Sequence, residues 1–215
     1  MCIRDSGIAH DLLSDEYQSG TGGGIPEKFS AELKDKSLLL TVGSWLRDFD
    51  RLLATAKALE HRDDLAFVVV SKNLELEIEG SSNVYLLNQG ISDEDLQALY
   101  SRATLLFLPL QCGAANNALL EAMAHGLPIV STDIPAIGFY SGGLATTAAP
   151  NATAYAKQIE RTLDELRNPE CRERLSQSLR RQAATLKWES IANRMFEELY
   201  LPLLEGCTPV NGPLP

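Results

Sequence analysis

Two short segments of the sequence carry side chains suited to binding a phosphate. In the first, Gly43 follows an apolar run, and Arg47 stands four residues later, before a predicted helix. Glycine allows the backbone to come close to a ligand, and a guanidinium can clamp a diphosphate through two parallel hydrogen bonds. A solvated arginine in an ordinary strand–helix turn is the competing interpretation of this segment alone.

The second segment opens a predicted helix with Asn116 and Asn117 and places Glu121 one turn inside it. The first amides of a helix are unpaired and its dipole is positive there, so this end binds anions. The rest of the helix is largely apolar, and a carboxylate among apolar side chains needs a partner. We expect Glu121 to accept hydrogen bonds from the sugar hydroxyls of a nucleotide-containing ligand. A capping asparagine with a solvated glutamate is the alternative.

Two further positions have weaker patterns. Gln89, Gly90 and Ile91 follow a predicted strand, and the glycine turn can present backbone to a flat base. An ordinary turn before a helix capped by Ser92 explains the same residues. His125 stands at a predicted helix C-terminus, where a cation is favoured, and we interpret it in that role rather than as a catalyst.

The elements that must position these residues alternate as in a parallel sheet. Short apolar runs rich in Leu and Val predict strands buried on both faces, at 38–42, 65–70, 83–87, 104–108, 128–131 and 143–147. Helices are predicted at 49–59, 92–102, 117–125, 152–166, 170–186 and from 188 to about 201. The fold class is therefore α/β, a Rossmann-like doubly wound parallel sheet of about six strands with C-terminal helices. Such folds bind ligands beyond the carboxyl ends of their strands.

The chain divides into four predicted parts. Residues 1–36 form a linker with a non-native start, because Met1-Cys-Ile-Arg-Asp-Ser resembles translated sequencing adaptor and the glycine run at 20–24 has loop chemistry. On this interpretation, we expect the true N-terminal portion to be missing. Residues 37–187 form the α/β domain, 188–204 a terminal helix, and 205–215, with three prolines, a disordered tail.

Composition narrows the class of protein. The chain has 215 residues with a net charge of −10, which argues against nonspecific binding to nucleic acid or anionic lipid. Its apolar runs are far shorter than the ~20 residues of a membrane helix, and none resembles a signal peptide. The four cysteines and three histidines lack zinc-site spacing. We expect reduced thiols in a cytoplasmic protein that needs no metal.

Four segments together resemble the C-terminal half of retaining GT-B glycosyltransferases of the group 1, or family-4, set. One of them, Trp-Glu-Ser-Ile-Ala at 188–192, is similar to the usual opening of the terminal helix. Residues 41–53, Thr-Val-Gly-Ser-Trp-Leu-Arg-Asp-Phe-Asp-Arg-Leu-Leu, are similar to the first strand, glycine turn and helix of that half. Residues 91–103 are similar to the helix before its signature strand. The most specific stretch is 116–133, Asn-Asn-Ala-Leu-Leu-Glu-Ala-Met-Ala-His-Gly-Leu-Pro-Ile-Val-Ser-Thr-Asp. The match runs from about residue 7 to residue 204.

The resemblance implies a role for each candidate residue. Glu121 would hold the ribose of a nucleotide-diphosphate sugar, and Arg47 would stabilise the leaving diphosphate in a transfer that retains anomeric configuration. Backbone near 115–118 would meet the diphosphate, and 89–91 would flank the base. The donor is then a substrate, with no cofactor or metal. The candidate catalytic residues are Arg47 and Glu121, and the candidate donor-binding residues are Gly43, Gln89, Gly90, Ile91, Gly113, Ala115, Asn116, Asn117 and Ala118.

Two departures from the family pattern matter. The family pattern has two glutamates eight residues apart. Glu121 matches the second glutamate, and Gly113 stands at the position of the first. The acceptor-binding domain for a glycan, lipid or small molecule is expected to be missing, so this chain alone would be inactive. An apolar row on the terminal helix would then be exposed and self-associating, at Ile191, Met195, Phe196, Leu199 and Tyr200. The full protein is expected to be cytoplasmic or peripheral to a membrane.

Three alternatives follow from the same residues. A sugar-nucleotide 2-epimerase of similar architecture is the nearest in chemistry. A noncatalytic nucleotide-binding or interaction module is favoured by Gly113. A dehydrogenase-type dinucleotide domain lacks support, because no G-x-G-x-x-G pattern follows a strand.

Overall fold

The computed structural model of the chain describes residues 32–72, 74, 75, 78, 81–113 and 116–206. The interpretation of residues 1–31, Ala115 and the tail from 207 onward lies outside the described residues. The strands are β1 Ser37–Val42, β2 Leu65–Val70, β3 Val84–Leu87, β4 Leu105–Leu108, β5 Ile129–Thr132 and β6 Thr146–Ala148. The helices are α1 Phe49–Ala58, α2 Asp93–Arg102, α3 Asn117–Ala124, α4 Pro135–Ser141, α5 Ala152–Glu165, α6 Pro169–Thr185, α7 Trp188–Met195 and α8 Leu201–Gly206, with a π-helical turn Phe196–Tyr200 between the last two.

All six strands join one parallel sheet in the order β3-β2-β1-β4-β5-β6. The predicted fold class is confirmed, and each predicted strand is present within three residues of its expected start. Connections run outward from β1 on one side and from β4 on the other. The strand order therefore reverses between β1 and β4, and ligands of such folds bind in the crevice at that point.

Helices cover both faces of the sheet. On one face Phe67 and Phe107 pack edge to face, and Phe107 packs in the same way on Tyr155 of α5. Helix α1 completes this layer through Leu52. On the other face α2, α3, α4 and α6 pack in one apolar cluster with the opposite sides of β1 and β4. Every residue of β2 is buried, as expected of a strand between two helical layers.

Side-chain caps fix where three helices next to the sheet edge begin. Asp48 caps α1, and the predicted cap Ser92 accepts a hydrogen bond from the Asp95 amide over 3.1 Å. Asn116 caps α3. Caps of this kind satisfy amides that have no intrahelical partner. Helix α4 was not predicted, because it has only seven residues, too few for its apolar side chains to show a helical period.

The terminal segment 188–206 has no buried residue in α7 or in the π-helical turn. The exposed fractions are 46% for Met195, 52% for Phe196, 51% for Leu199 and 50% for Tyr200. Ile191 is half-buried. The predicted exposed apolar row is therefore confirmed, and helix is described as far as Gly206. Within the described ranges, no helix combines the length and apolarity needed to cross a bilayer.

Candidate active site

The carboxyl ends of β1 and β4 bring two loops together. After β1 the chain passes Gly43 and Arg47 into α1 on one face, and after β4 it passes Leu110 into α3 on the other. Arg47 and Leu110 form an isolated antiparallel bridge. The Asp48 amide donates to the Pro109 carbonyl over 2.9 Å, and the Gln111 amide donates to the Leu46 carbonyl over 3.0 Å. The two loops therefore hold each other in register at the switch point.

The Arg47 side chain is buried, with 7% exposed. Its Nε and one Nη donate to the Val42 carbonyl over 3.0 and 2.7 Å, and its other Nη donates to the Trp45 carbonyl over 3.0 Å. Leu46 has a left-handed backbone, with φ at 58°, which non-glycine residues adopt at a cost of about 1–3 kcal/mol. Gly43 is also left-handed, and a Cβ there would lie 3.5 Å from an Nη of Arg47. The loop is thus wrapped around the guanidinium.

Burial lowers the pKa of Arg47 to about 10, while Tyr100 and Glu121 act against this shift. The guanidinium therefore stays charged at neutral pH. A buried charge is costly unless hydrogen bonds and an opposite charge offset its desolvation. The carbonyls of its own loop supply the hydrogen bonds, and Glu121 supplies the negative charge.

Asn116 joins this cation to the start of α3. Its Oδ1 accepts from an Nη of Arg47 over 3.2 Å and from the Leu119 amide over 3.3 Å. The next residue, Asn117, is exposed in the first turn, whereas Ala118 is buried beneath it. The structure thus brings Gly43, Arg47 and Asn116 together at a helix N-terminus. Ala115, in the same loop, lies outside the described residues.

Glu121 is half-buried, and its Oε2 accepts a hydrogen bond from the Tyr100 hydroxyl over 2.8 Å. Tyr100 is itself buried, and burial first and the neighbouring carboxylate second raise its pKa well above the ordinary value. Tyr100 therefore gives Glu121 a partner within the protein, and burial of α3 does not by itself require a ligand at this carboxylate. No sequence signal pointed to Tyr100, which is 21 residues away.

The residues predicted to flank a base follow β3, at the same edge of the sheet. Because β2 lies between β3 and β1, this turn is two strand spacings, about 10 Å, from β1. Gly90 is left-handed, with φ at 78°, and a Cβ there would lie 3.8 Å from Cδ of Lys72. Gln89 is exposed, and Ile91 packs against the core. The turn is available to a ligand but does not touch Arg47.

Gly113, which replaces the family's glutamate, is exposed after β4. A Cβ at this position would lie 3.0 Å from Cδ1 of Ile134. A larger residue would press on the movable end of that side chain. The structure therefore places position 113 against Ile134, and only a residue that displaces this side chain could replace the glycine.

The prediction of a charged His125 at the end of α3 is wrong. Burial lowers its pKa to about 4, and the charge of Arg180 adds to this effect. Its Nε2 donates to Oε1 of Gln97, and its Nδ1 lies 3.4 Å from Oγ of Ser101, which can donate to it. The ring is stacked on Tyr100 with centroids 5.4 Å apart. It is neutral at pH 7 and serves as packing behind Tyr100.

In the part of the chain that the structure describes, no three His, Cys, Asp or Glu side chains cluster closely enough to hold a metal. At the switch point the Arg47 guanidinium lies beside the first turn of α3, whose unpaired amides form the positive end of the helix dipole. This crevice suits an anion with polar hydroxyls nearby, with Glu121 as the acceptor.

The sheet order and the crevice define a doubly wound α/β domain with a buried cation at its switch point. A sequence model described as "Glycosyl transferases group 1" matches residues 36–165, more than half of the chain. The chain belongs to this family of glycosyltransferases. Comparison with curated protein sequences gives no match.

Solved glycosyltransferases of the GT-B type share the fold. Sucrose-phosphate synthase from Thermosynechococcus elongatus is 21% identical with a TM-score of 0.65, over 93% of this chain and 52% of that one. An α,α-trehalose 6-phosphate synthase from Burkholderia multivorans is 12% identical with a TM-score of 0.74, over 93% and 50%. WaaG, a glycosyltransferase of lipopolysaccharide biosynthesis, is 23% identical with a TM-score of 0.58, over 80% and 50%. The chain spans about half the length of these proteins.

Proposed function

We propose that this chain is the donor-binding domain of a glycosyltransferase that uses a nucleotide-diphosphate sugar and retains anomeric configuration. The observation that carries the proposal is the contact of Arg47 with Asn116. It puts a permanently charged group beside the unpaired amides of α3, at the point of the sheet where such folds bind ligands. Family membership supplies the reaction class.

The diphosphate lies across the Arg47–Asn116 contact in this proposal. As the bond from the sugar to the diphosphate breaks, negative charge grows on the leaving oxygens. The guanidinium is already held by the Val42 and Trp45 carbonyls, so it need not reorganise. Preorganised charge of this kind is usually the largest catalytic contribution. Because four of its N–H groups are already engaged, Arg47 acts mainly through its charge rather than as a two-pronged clamp.

Glu121 holds the ribose in the same proposal. A carboxylate accepts several hydrogen bonds, so the bond from Tyr100 and bonds from ribose hydroxyls can coexist. The Tyr100 hydroxyl fixes the rotamer of the carboxylate before the ligand arrives. The turn at 89–91 then lies further along the same edge, where the base would extend.

The acceptor needs a second surface. The solved relatives are about twice as long as this chain, and we place the glycan, lipid or small-molecule acceptor on a domain equivalent to their unmatched half. The transfer requires both reactants to be held in one geometry. The donor domain by itself should therefore bind its nucleotide and show no transfer.

Binding of nucleotides by the chain as it stands tests the proposal. A thermal-shift panel of UDP, GDP, ADP and dTDP, with their sugars, should raise the melting temperature for one base. The same ligand should fail to stabilise Glu121→Ala, whereas Glu160→Ala, an exchange at a half-buried glutamate of α5, should respond like the wild type. No stabilisation by any nucleotide would reject the proposal.

Gly113 favours one second candidate, a nucleotide-binding module without transfer activity. The position beside the crevice carries no carboxylate to contact a donor sugar. In that case the nucleoside diphosphate would bind, and its sugar conjugate would bind no more tightly. Tighter binding of the sugar conjugate than of the nucleoside diphosphate would favour the transferase over the module.

A further inference from the structure

A second cavity lies on the side of the sheet opposite Arg47. Its walls are the segment from Tyr100 to Thr104, which leads into β4, the segment from His125 to Pro128, which leads into β5, and three side chains of α6, Arg172, Ser176 and Arg180. The cavity therefore sits at the amino ends of β4 and β5. Its volume is about 350 Å³. Small-molecule sites fall in this range.

The charge of this cavity is the opposite of the charge of the protein. Three arginines line it, at positions 102, 172 and 180, and among the described residues that line it there is no Asp or Glu. The whole chain carries a net charge of −10. Three cations around one cavity repel one another, and an anion bound between them would offset this repulsion. Hydroxyls of Ser101, Thr104 and Ser176 add neutral donors to the same walls.

The three arginines differ in how many of their N–H groups already donate to acceptors within the protein. Arg102 is tied to the Leu33, Lys34 and Lys36 carbonyls. Arg180 donates one Nη to the His125 carbonyl over 3.1 Å, and its Nε is enclosed with no partner among described atoms. A buried donor without an acceptor is costly and calls for a missing partner. Arg172 is exposed at the mouth.

Backbone also comes close at this place. Gly126 has φ at 67°, and a Cβ there would lie 2.2 Å from Oγ of Ser176 and 3.0 Å from Nε of Arg180. A side chain at this position would clash with both groups, so the backbone can pack against Ser176 and Arg180 only because residue 126 is a glycine. The closest donors of the cavity are therefore held within one small region of its wall.

We propose that this cavity binds the phosphoryl group of a small phosphorylated metabolite, through Arg180, Arg172 and Ser176. A phosphate matches guanidinium donors in charge and geometry. The volume exceeds what a phosphate alone fills, and Ala103, Leu127 and Pro128 offer apolar wall to a short carbon skeleton. The strongly acidic chain disfavours the other sources of phosphate, a nucleic acid or an anionic membrane.

Backbone amide NMR of the whole chain, titrated with inorganic phosphate and with glycerol 3-phosphate, tests the assignment. Saturable shifts of the Gly126 and Ser176 amides are expected, with the ester binding more tightly. Arg172→Ala should weaken binding about tenfold, as loss of a charge-assisted contact does. The control Arg181→Ala removes the same charge from an exposed position of the same helix and should change binding less than twofold.

The variant Arg47→Ala distinguishes phosphate bound in the proposed donor site from phosphate bound in this cavity. Phosphate that binds near Arg47 would be lost in Arg47→Ala, whereas shifts at Gly126 should persist there. Because Arg180 also holds the His125 carbonyl, Ser176→Asp, which puts a carboxylate in the cavity, serves as the second variant and should abolish the shifts. The proposal is overturned if Gly126 and Ser176 do not respond, if Arg172→Ala and Arg181→Ala weaken binding equally, or if the ester binds no better than phosphate.

Discussion

The Arg47 guanidinium donates to Oδ1 of Asn116 over 3.2 Å, and this contact connects the loop after β1 with the first turn of α3. The two residues are 69 positions apart in the sequence. They meet because β1 and β4 are neighbours in the sheet while their following helices leave for opposite faces. The same asparagine oxygen caps α3 through the Leu119 amide. One side chain therefore positions both the cation and the helix N-terminus.

Arg47 should matter for stability as well as for ligand binding. Arg47→Ala leaves the Val42 and Trp45 carbonyls without their donors, so we expect a loss of about 2–4 kcal/mol in the free energy of unfolding. Arg47→Lys keeps the charge but not the planar fork and should lose about half as much. Urea denaturation measures both.

Arg51→Ala is the matched control for Arg47. It removes a partly exposed arginine that pairs with Asp48 at the start of α1 and should cost less than about 1 kcal/mol. Diphosphate binding, measured by calorimetry, should weaken by about 1.5–3 kcal/mol in Arg47→Ala and stay unchanged in Arg51→Ala. Equal losses in the two variants would show that Arg47 has no special role.

Tyr100 should act on the donor site through Glu121. Tyr100→Phe removes the hydroxyl that donates to the carboxylate, and we expect a loss of about 1–3 kcal/mol in unfolding free energy together with weaker nucleotide binding. Tyr140→Phe, which keeps the ring that packs edge to face on Phe139, is the control and should change neither quantity. If Tyr100→Phe binds the nucleotide as the wild type does, the carboxylate does not need this orientation.

The buried His125 predicts a loss of stability in mild acid. Its folded pKa is about 4, below its ordinary value of 6.5, so the unfolded chain binds the extra proton first. The stabilisation that depends on a neutral His125 is complete above pH 6.5 and is lost as the pH falls toward 4. The free energy of unfolding should fall by about 3 kcal/mol over this range. Denaturation of the wild type and His125→Gln between pH 7 and 4 measures the difference. A constant difference across this window would contradict the assignment of a neutral buried ring.

The exposed apolar row on the terminal segment predicts self-association. Four large side chains, at 195, 196, 199 and 200, are each about half exposed within one short stretch. Sedimentation velocity should show association that increases with concentration, and Phe196→Glu with Leu199→Glu should abolish it. Glu197→Gln is the control on the same turn. A wild-type chain that stays monomeric at high concentration would refute this prediction.

Much of the fold was predictable because its local signals are strong. The run at 65–70 is apolar throughout and fits only a buried element, and Ser92 three residues before Asp95 marks a helix start. Helix α4 escaped prediction because its apolar residues show no helical period over seven positions. The strand order follows from chain connectivity rules rather than from any one residue.

The sequence predicted which loops meet at the switch point, but not the contacts between their residues. Gly43, Arg47 and Asn116 were expected at one edge because parallel strands end together. Two facts needed the tertiary structure: that Arg47 is buried against its own loop, and that Tyr100 is the partner of Glu121. Both depend on contacts between elements, which leave no spacing pattern in the sequence. The prediction that His125 is charged was wrong for the same reason, because the burial of this ring depends on α2 and α6.

Calorimetric titration with the stabilising nucleoside diphosphate and with its 2′,3′-dideoxy analogue tests the central claim most directly. If Glu121 holds the ribose as we propose, the wild type should bind the ribose form at least about tenfold more tightly, because bonds from the hydroxyls to a carboxylate are charge-assisted. In Glu121→Ala that preference should fall to about one, while the dideoxy form binds both proteins alike. A preference that survives in Glu121→Ala, or no binding of either nucleotide to the wild type, would contradict the assignment of this crevice as the donor site.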